Sequence, residues 1–267
     1  MRLEDLQIIC ISLAKRPDRW ARLKAQAEVA ELPVKRMEAV DASTIVAHEH
    51  PAVSLGTAHN IYYKTRRSVY EIDAAGAVGC SLSHFKAWQQ LLDSNAPALL
   101  VFEDDCTVPA SLKWRLEQIL KDAPEDWDII QLQRTRYSSG VSGCKPIAGE
   151  GPWQLCTSLM GTHAYIVSRR GAQRLLARAY PIELHVDAYM AYMARMQHVR
   201  MIWHQLIDIQ PRNDGGSNIE HGNSRICSVP TNMDDRGIVV LTIPTVISVM
   251  VLAGIAGVLI GRGVNLK

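Results

Sequence analysis

The stretch "ALLVFEDDC", Ala98 to Cys106, runs an apolar segment straight into Glu103, Asp104 and Asp105. A short continuous apolar run is the mark of a strand buried on both faces, which occurs where helices cover both sides of a sheet. Three adjacent carboxylates repel one another, and desolvating even one is costly. The end of this strand therefore calls for a counter-charge. Open α/β sheets bind their ligands outside the carboxyl ends of the strands, which is where these acids fall. Side chains two residues apart in an extended segment point the same way, so Glu103 and Asp105 can converge while Asp104 turns aside. Hard carboxylate oxygens suit Mg²⁺ or Mn²⁺, with a diphosphate completing the shell. On spacing alone, a strand-end turn with solvated acids and a helix cap stays open beside the metal.

The rest of the pattern agrees with α/β. Leu6–Leu13 reads as a first strand, and Pro17 opens a helix whose Trp20, Leu23 and Ala27 share a face. "VKRMEAVDA" follows as a second strand with Asp41 at its carboxyl end. This β-α-β start favours a parallel sheet, and the whole is expected to be mixed but mostly parallel. Residues 43–75 read as an insertion or mobile loop outside the core, with His48, His50 and His59 solvated. "GAVGCSLSHFKAWQQLLDS" reads as a helix after a tight glycine turn, capped by Ser81 or Ser83, with Leu82, Phe85, Trp88, Leu91 and Leu92 as its stripe. Leu112, Leu116, Ile119 and Leu120 mark another amphipathic helix. "WDIIQL" and "THAYIVS" read as strands, "RRGAQRLLARA" and "HVDAYMAYMARM" as helices, and "VRMIWHQLIDI" as extended.

With 267 residues the chain has room for one large α/β domain or two small ones. Its net charge of +2, with basic residues scattered, gives no electrostatic footprint for nucleic acid. The six cysteines show no short paired spacing, and those beside apolar segments, Cys10, Cys80 and Cys106, behave as small hydrophobes; the set reads as free thiols. From Arg212 the chain turns polar and glycine-rich, so the first domain is placed at residues 1–226 and a linker at 227–236. Gly237–Gly261 holds no charged residue and is long enough to cross a hydrocarbon core of about 30 Å, with a short tail at 262–267. A single C-terminal transmembrane helix is expected there, in place of a buried core helix. Gly257 and Gly261 form a small-x-x-x-small pair that could bring two such helices together as a homodimer, or simply be membrane-helix filler.

Six segments together, in this order, are similar to glycosyltransferase family 25: "IICISLAKRPDRW", "GCSLSHFKAW", "LVFEDD", "WDIIQL", "GTHAYIVSRRGA" and "HVDAYM". The resemblance implies a GT-A type, Rossmann-like nucleotide-sugar-binding domain and a UDP-sugar donor, often UDP-galactose. It also implies a glycan, lipid-linked or protein acceptor and a divalent metal on the acidic motif. The metal would then sit on Glu103 and Asp105, with Asp104 facing the ribose or the sugar. Asp187, in "HVDAY", matches the family's aspartate and becomes the candidate base of an inverting transfer; it would also serve as N-cap of a helix Ala188–Met196. Ser83 and His84 match the family's Ser-His pair and would line the donor pocket or fix the helix start. Gly161, in "GTHAY", would bring backbone close to the sugar, or simply turn the chain into a strand. Arg16 and Arg19 could reach phosphate or remain surface arginines. His204 could supply a late metal ligand, or pack in its strand. Residues 43–75 and the apolar tail fall outside the family pattern.

Two other classes compete. A catalytically silent relative would serve as a membrane-tethered binding or scaffold protein. A metal-dependent phosphoesterase would gather separated Asp and His ligands around two metals, and only one compact cluster is visible. With no N-terminal signal, a tail anchor would leave the domain on the cytosolic face.

Overall fold

The computed structural model describes residues 1–133, 143–211 and 225–226. Its elements follow the hydrophobic pattern: β1 (Gln7–Ser12), α1 (Pro17–Val29), β2 (Lys35–Glu38), α2 (Leu55–Tyr63), β3 (Thr65–Arg66), α3 (Ala75–Leu92), β4 (Ala98–Glu103) and α4 (Leu112–Lys121). After these come β5 (Ile129–Gln131), β6 (Cys144–Pro146), β7 (Trp153–Cys156), β8 (Ala164–Ser168), α5 (Arg169–Leu176), α6 (Val186–Arg195) and β9 (Met201–His204).

Eight strands form one sheet in the order β2-β1-β4-β8-β5-β9-β7-β6. The period-2 alternation of its strands sends neighbouring residues to opposite faces. Ile9, Leu99, Val101, Tyr165 and Val167 pack on one face, under Trp88 of α3, Leu175 of α5 and Met190 of α6. Ile8, Cys10, Leu100, Phe102 and Ile130 pack on the other, under Leu23 of α1 and Leu116 and Ile119 of α4. Both faces of the central strands are thus dry, as the unbroken "ALLVF" run requires.

The parallel pairings are β1 with β2, β1 with β4, and β5 with β9. The other four, β4 with β8, β5 with β8, β6 with β7 and β7 with β9, are antiparallel. The parallel majority expected from the β-α-β start therefore does not extend across the sheet. Strand β8, inserted between β4 and β5, runs against both. Its starting end consequently lies at the carboxyl end of β4, beside the acidic triplet.

Residues 43–75 are not a loop outside the core. Ser54 caps α2 by accepting from Thr57 N at 3.1 Å. The segment is stitched to residues 182–185: Ile182 N donates to Ala52 O at 2.7 Å, Ile72 N to Glu183 O at 3.1 Å, and His185 N to Tyr70 O at 2.9 Å. Ile72 and Asp73 are fully buried. Helix α3 also differs from expectation, since Gly76 and Gly79 lie inside it and no glycine turn precedes it. A Cβ at residue 79 would come within 2.8 Å of Val40 O, so the glycine lets the helix press against the chain leaving β2. Ser81 and Ser83 are buried interior residues of that helix, not caps.

Cys144 and Cys156, which face each other across the β6–β7 pair, form a disulfide, whereas Cys10, Cys80 and Cys106 are free. At the amino end of β5, buried Asp128 accepts from Arg170 Nε at 2.8 Å, Arg174 Nη1 at 2.7 Å and Arg200 N at 2.8 Å. Met1–Arg225 makes one compact unit and Ile226–Lys267 a second. Cys227, the linker 227–236, the apolar span 237–261 with its Gly257/Gly261 pair, and the tail 262–267 lie outside the described residues. Among the described residues no helix is long and apolar enough to cross a membrane.

Candidate functional site

The chain leaves β1, folds α1 and β2 to one side, and returns to place β4 on the other side of β1. The crevice outside the carboxyl ends of β1 and β4 is where such a sheet leaves room for a ligand. A cleft of about 370 Å³ opens there, lined by Leu13, Lys15, Asp41, His84, Glu103 and Asp105 among others.

Alternation along β4 decides what the triplet does. Glu103 faces α3. Its Oε1 lies 3.2 Å from His84 Nε2 and also accepts from Thr162 Oγ1. Asp105 turns the same way, and His163 Nδ1 stands between the two, 3.9 Å from Glu103 Oε2 and 3.6 Å from Asp105 Oδ1. Asp104 turns to α1, where the buried Arg19 guanidinium lies 3.4 Å from its Oδ1 and 3.8 Å from Asp105 Oδ2. Arg22 Nη2 reaches the Asp104 carbonyl at 3.4 Å.

These contacts set the charges. Burial alone would push the Glu103 carboxyl up; the His84 and Thr162 hydrogen bonds and the nearby His163 outweigh it and hold Glu103 ionised. Burial would lower His163, but Asp105 and Glu103 overcome it and raise the imidazole above its usual value. Asp104 is raised, because its burial outweighs the hydrogen bond from Ser12 and the charge of Arg19.

Ligand atoms of Glu103, Asp105 and His163 all lie within 4.8 Å of one another. Asp105 Oδ1 and His163 Nδ1 are buried, and they approach each other at 3.6 Å, longer than an ordinary hydrogen bond. Poorly satisfied buried polar atoms are costly, and a cation in their midst would satisfy both. Two carboxylates and one imidazole fit Mn²⁺ or Mg²⁺.

The other expected residues fall in different places. Asp187 lies in the first turn of α6, with His185 as the N-cap position, so it does not cap the helix. Its carboxylate accepts from Gly161 N at 2.8 Å and Ala188 N at 2.7 Å. Gly161 has φ +93°, a left-handed conformation that favours glycine, and it aims its N–H at Asp187. Ser83 Oγ donates to Gly79 O and accepts from Val40 N, both within 2.8 Å, tying α3 to the segment after β2. His84 is fully buried, with Nδ1 2.8 Å from the Tyr165 hydroxyl. Arg16 precedes α1 and pairs with Asp18 at 2.9 Å. His204 also stands apart: its ring lies edge-on to Trp153, 4.7 Å between centroids, and Nδ1 accepts from Leu206 N at 3.0 Å. The histidine brought to Glu103 and Asp105 is His163, inside the "GTHAY" segment but unremarked in the sequence.

The protein-family model described as "Glycosyltransferase family 25 (LPS biosynthesis protein)" matches residues 5–190. The chain is 30% identical over 201 residues to the "Probable inactive glycosyltransferase 25 family member 3" of Rattus norvegicus, covering 70% of this chain and 32% of the relative. It is 30% identical over 192 residues to "Procollagen galactosyltransferase 1-A" of Xenopus laevis, covering 70% of this chain and 31% of that protein. It is 26% identical over 191 residues to "Procollagen galactosyltransferase 2" of Homo sapiens, with 70% and 30% covered. The chain spans about a third of the length of these curated relatives.

Proposed function

The chain belongs to glycosyltransferase family 25, and from that premise we propose that it transfers a hexose, galactose, from a UDP-sugar to an acceptor hydroxyl. The acceptor class is a glycan, a lipid-linked glycan or a protein. The observation that carries this reading is the meeting of Glu103, Asp105 and His163, their ligand atoms within 4.8 Å of one another, beside a cleft at the carboxyl ends of β1 and β4.

Glu103, Asp105 and His163 would hold the divalent cation. Bound there, it supplies Lewis acidity to the diphosphate leaving group, which gains negative charge as the glycosidic bond breaks. Arg19, inserted between Asp104 and Asp105, keeps the second acid of the triplet compensated without the cation. Asp41, which also lines the cleft, follows β2. That is the place where related nucleotide-binding sheets put the acid that receives ribose hydroxyls. Asp187 is the base of this reading. Two backbone N–H groups fix its carboxylate, and each oxygen retains a lone pair for the acceptor's proton. Gly161 belongs to the same corner, so base and sugar subsite are positioned together. Membrane attachment through residues 237–261 completes the proposal.

A second reading is favoured by the names of relatives called inactive. On that view the fold persists as a tethered binding or scaffold protein. A donor panel separates the two: purified protein, Mn²⁺ and several UDP-sugars, with UDP release as readout. The expected result is metal-dependent release with a galactose donor. Asp105→Ala should lower it by about 100-fold or more, since the cation supplies several kcal/mol. Its circular dichroism should match wild type. Wild type no faster than Asp105→Ala on every donor would leave the silent reading.

A further inference from the structure

Behind Glu103 lies a buried chain of polar groups that runs from His84, at the cleft, to Tyr165 and Trp88, outside its lining. Trp88 Nε1 donates to the Tyr165 hydroxyl at 2.8 Å, that oxygen lies 2.8 Å from His84 Nδ1, and His84 Nε2 lies 3.2 Å from Glu103 Oε1. Trp88, Tyr165 and His84 are each fully buried. Carrying an indole N–H and a phenol out of water is costly unless both are hydrogen-bonded, and apolar side chains could fill a core without that cost, so packing alone does not account for these groups.

The proton count along the chain has one satisfied solution. The indole can only donate, so it occupies a lone pair of the phenol oxygen. The phenol keeps its own proton, and its remaining neighbour in the chain is His84 Nδ1. Tyr165 therefore donates to Nδ1, Nδ1 is unprotonated, and the imidazole hydrogen sits on Nε2, where it donates to Glu103. The reverse tautomer would strand the phenol proton in the core and set the Nε2 lone pair against a carboxylate. This assignment follows from the network of heavy atoms.

Resting on the proposed metal-dependent transfer, we infer that Trp88 and Tyr165 are positioning residues that lock His84 as a permanent donor to Glu103. With Oε1 held by His84 and Thr162, Oε2 is left turned toward His163 and Asp105. The cation site is thereby built before any ligand arrives, by Trp88 of α3 and Tyr165 of β8, neither of which lines the cleft. Hydrogen-bond partners behind a ligating carboxylate typically change metal affinity by about 10–100-fold when removed.

The test measures Mn²⁺ affinity by the free-Mn²⁺ paramagnetic resonance signal, with no turnover needed. Tyr165→Phe removes one oxygen and should weaken Mn²⁺ binding by about 10-fold or more. His84→Gln keeps a fixed N–H near the Nε2 position that needs no phenol to orient it. In that background, Tyr165→Phe should cost nothing further. Unchanged affinity in Tyr165→Phe, or the same loss in both backgrounds, overturns the inference. Wild type that binds no Mn²⁺ removes the metal-dependent reading as well, whereas a wild type that binds while Tyr165→Phe matches it removes only this one. A measurement free of substitutions is ¹⁵N-histidine NMR of wild type at neutral pH. It should show His84 protonated on Nε2 alone, and a proton on Nδ1 overturns the assignment.

Discussion

Asp41 shows how a cleft residue contributes through pH. Its carboxylate accepts from Ser43 N and pairs with Lys15 at 2.9 Å, and these contacts lower its pKa from 3.8 to about 2. A depressed carboxylate adds stability above its unfolded value and loses it as pH falls through the folded one. Wild type should thus show a higher Tm than Asp41→Asn at pH 7, and the difference should shrink as pH falls from about 4 toward about 2. A gap that stays constant across that range would mean the carboxylate charge does not matter. At this scale, what the sequence disclosed was local geometry. Two-residue alternation along β4 is enough to send Glu103 and Asp105 together and Asp104 aside. His163 was beyond such reasoning, because it meets Glu103 only through the β4–β8 pairing, and no local pattern names a strand's partner. His204 lies at the end of a well-marked strand, yet two strands, β8 and β5, lie between β4 and β9 in the sheet, so its distance from the triplet could not be read either.

Among the elements, those with a strong period were legible and those held by distant chain were not. Helices α1 and α4 and strands β1 and β4 carry their burial in their own sequences. Segment 43–75 has no such period; its order comes from hydrogen bonds to residues 182–185, more than a hundred positions away. Glycines misled at α3, where small size rather than turn conformation is what Gly79 supplies. Strand β5, only three residues long, is anchored by Asp128, whose carboxylate binds two arginines of α5 and the backbone of Arg200 before β9. Removing one partner of a buried ion pair typically costs about 3–5 kcal/mol. Because Arg170 and Arg174 remain in contact with water, Asp128→Ala is expected to cost about 2–3 kcal/mol in urea unfolding. A loss under about 0.5 kcal/mol would place it with ordinary surface changes.

At the scale of the whole molecule, the expected α/β class and the position of the acids are present, while the balance of strand directions is not. The β-α-β start announces parallel pairing, but β8 enters against β4, and that reversal is what delivers Gly161 to His163 to the cleft. The cross-link between Cys144 and Cys156 carries a further consequence, for topology in the cell. Glutathione keeps such pairs reduced in the cytosol, whereas lumenal and periplasmic compartments let them persist. The redox state of these two sulfurs would therefore report on which side of a bilayer the proposed membrane attachment places the domain. Alkylating intact cells before lysis, then comparing gel mobility with and without reductant, should find both thiols open if the domain faces the cytosol. A bridge that survives this treatment would place the domain, and the acceptors proposed for it, on the opposite side of the membrane.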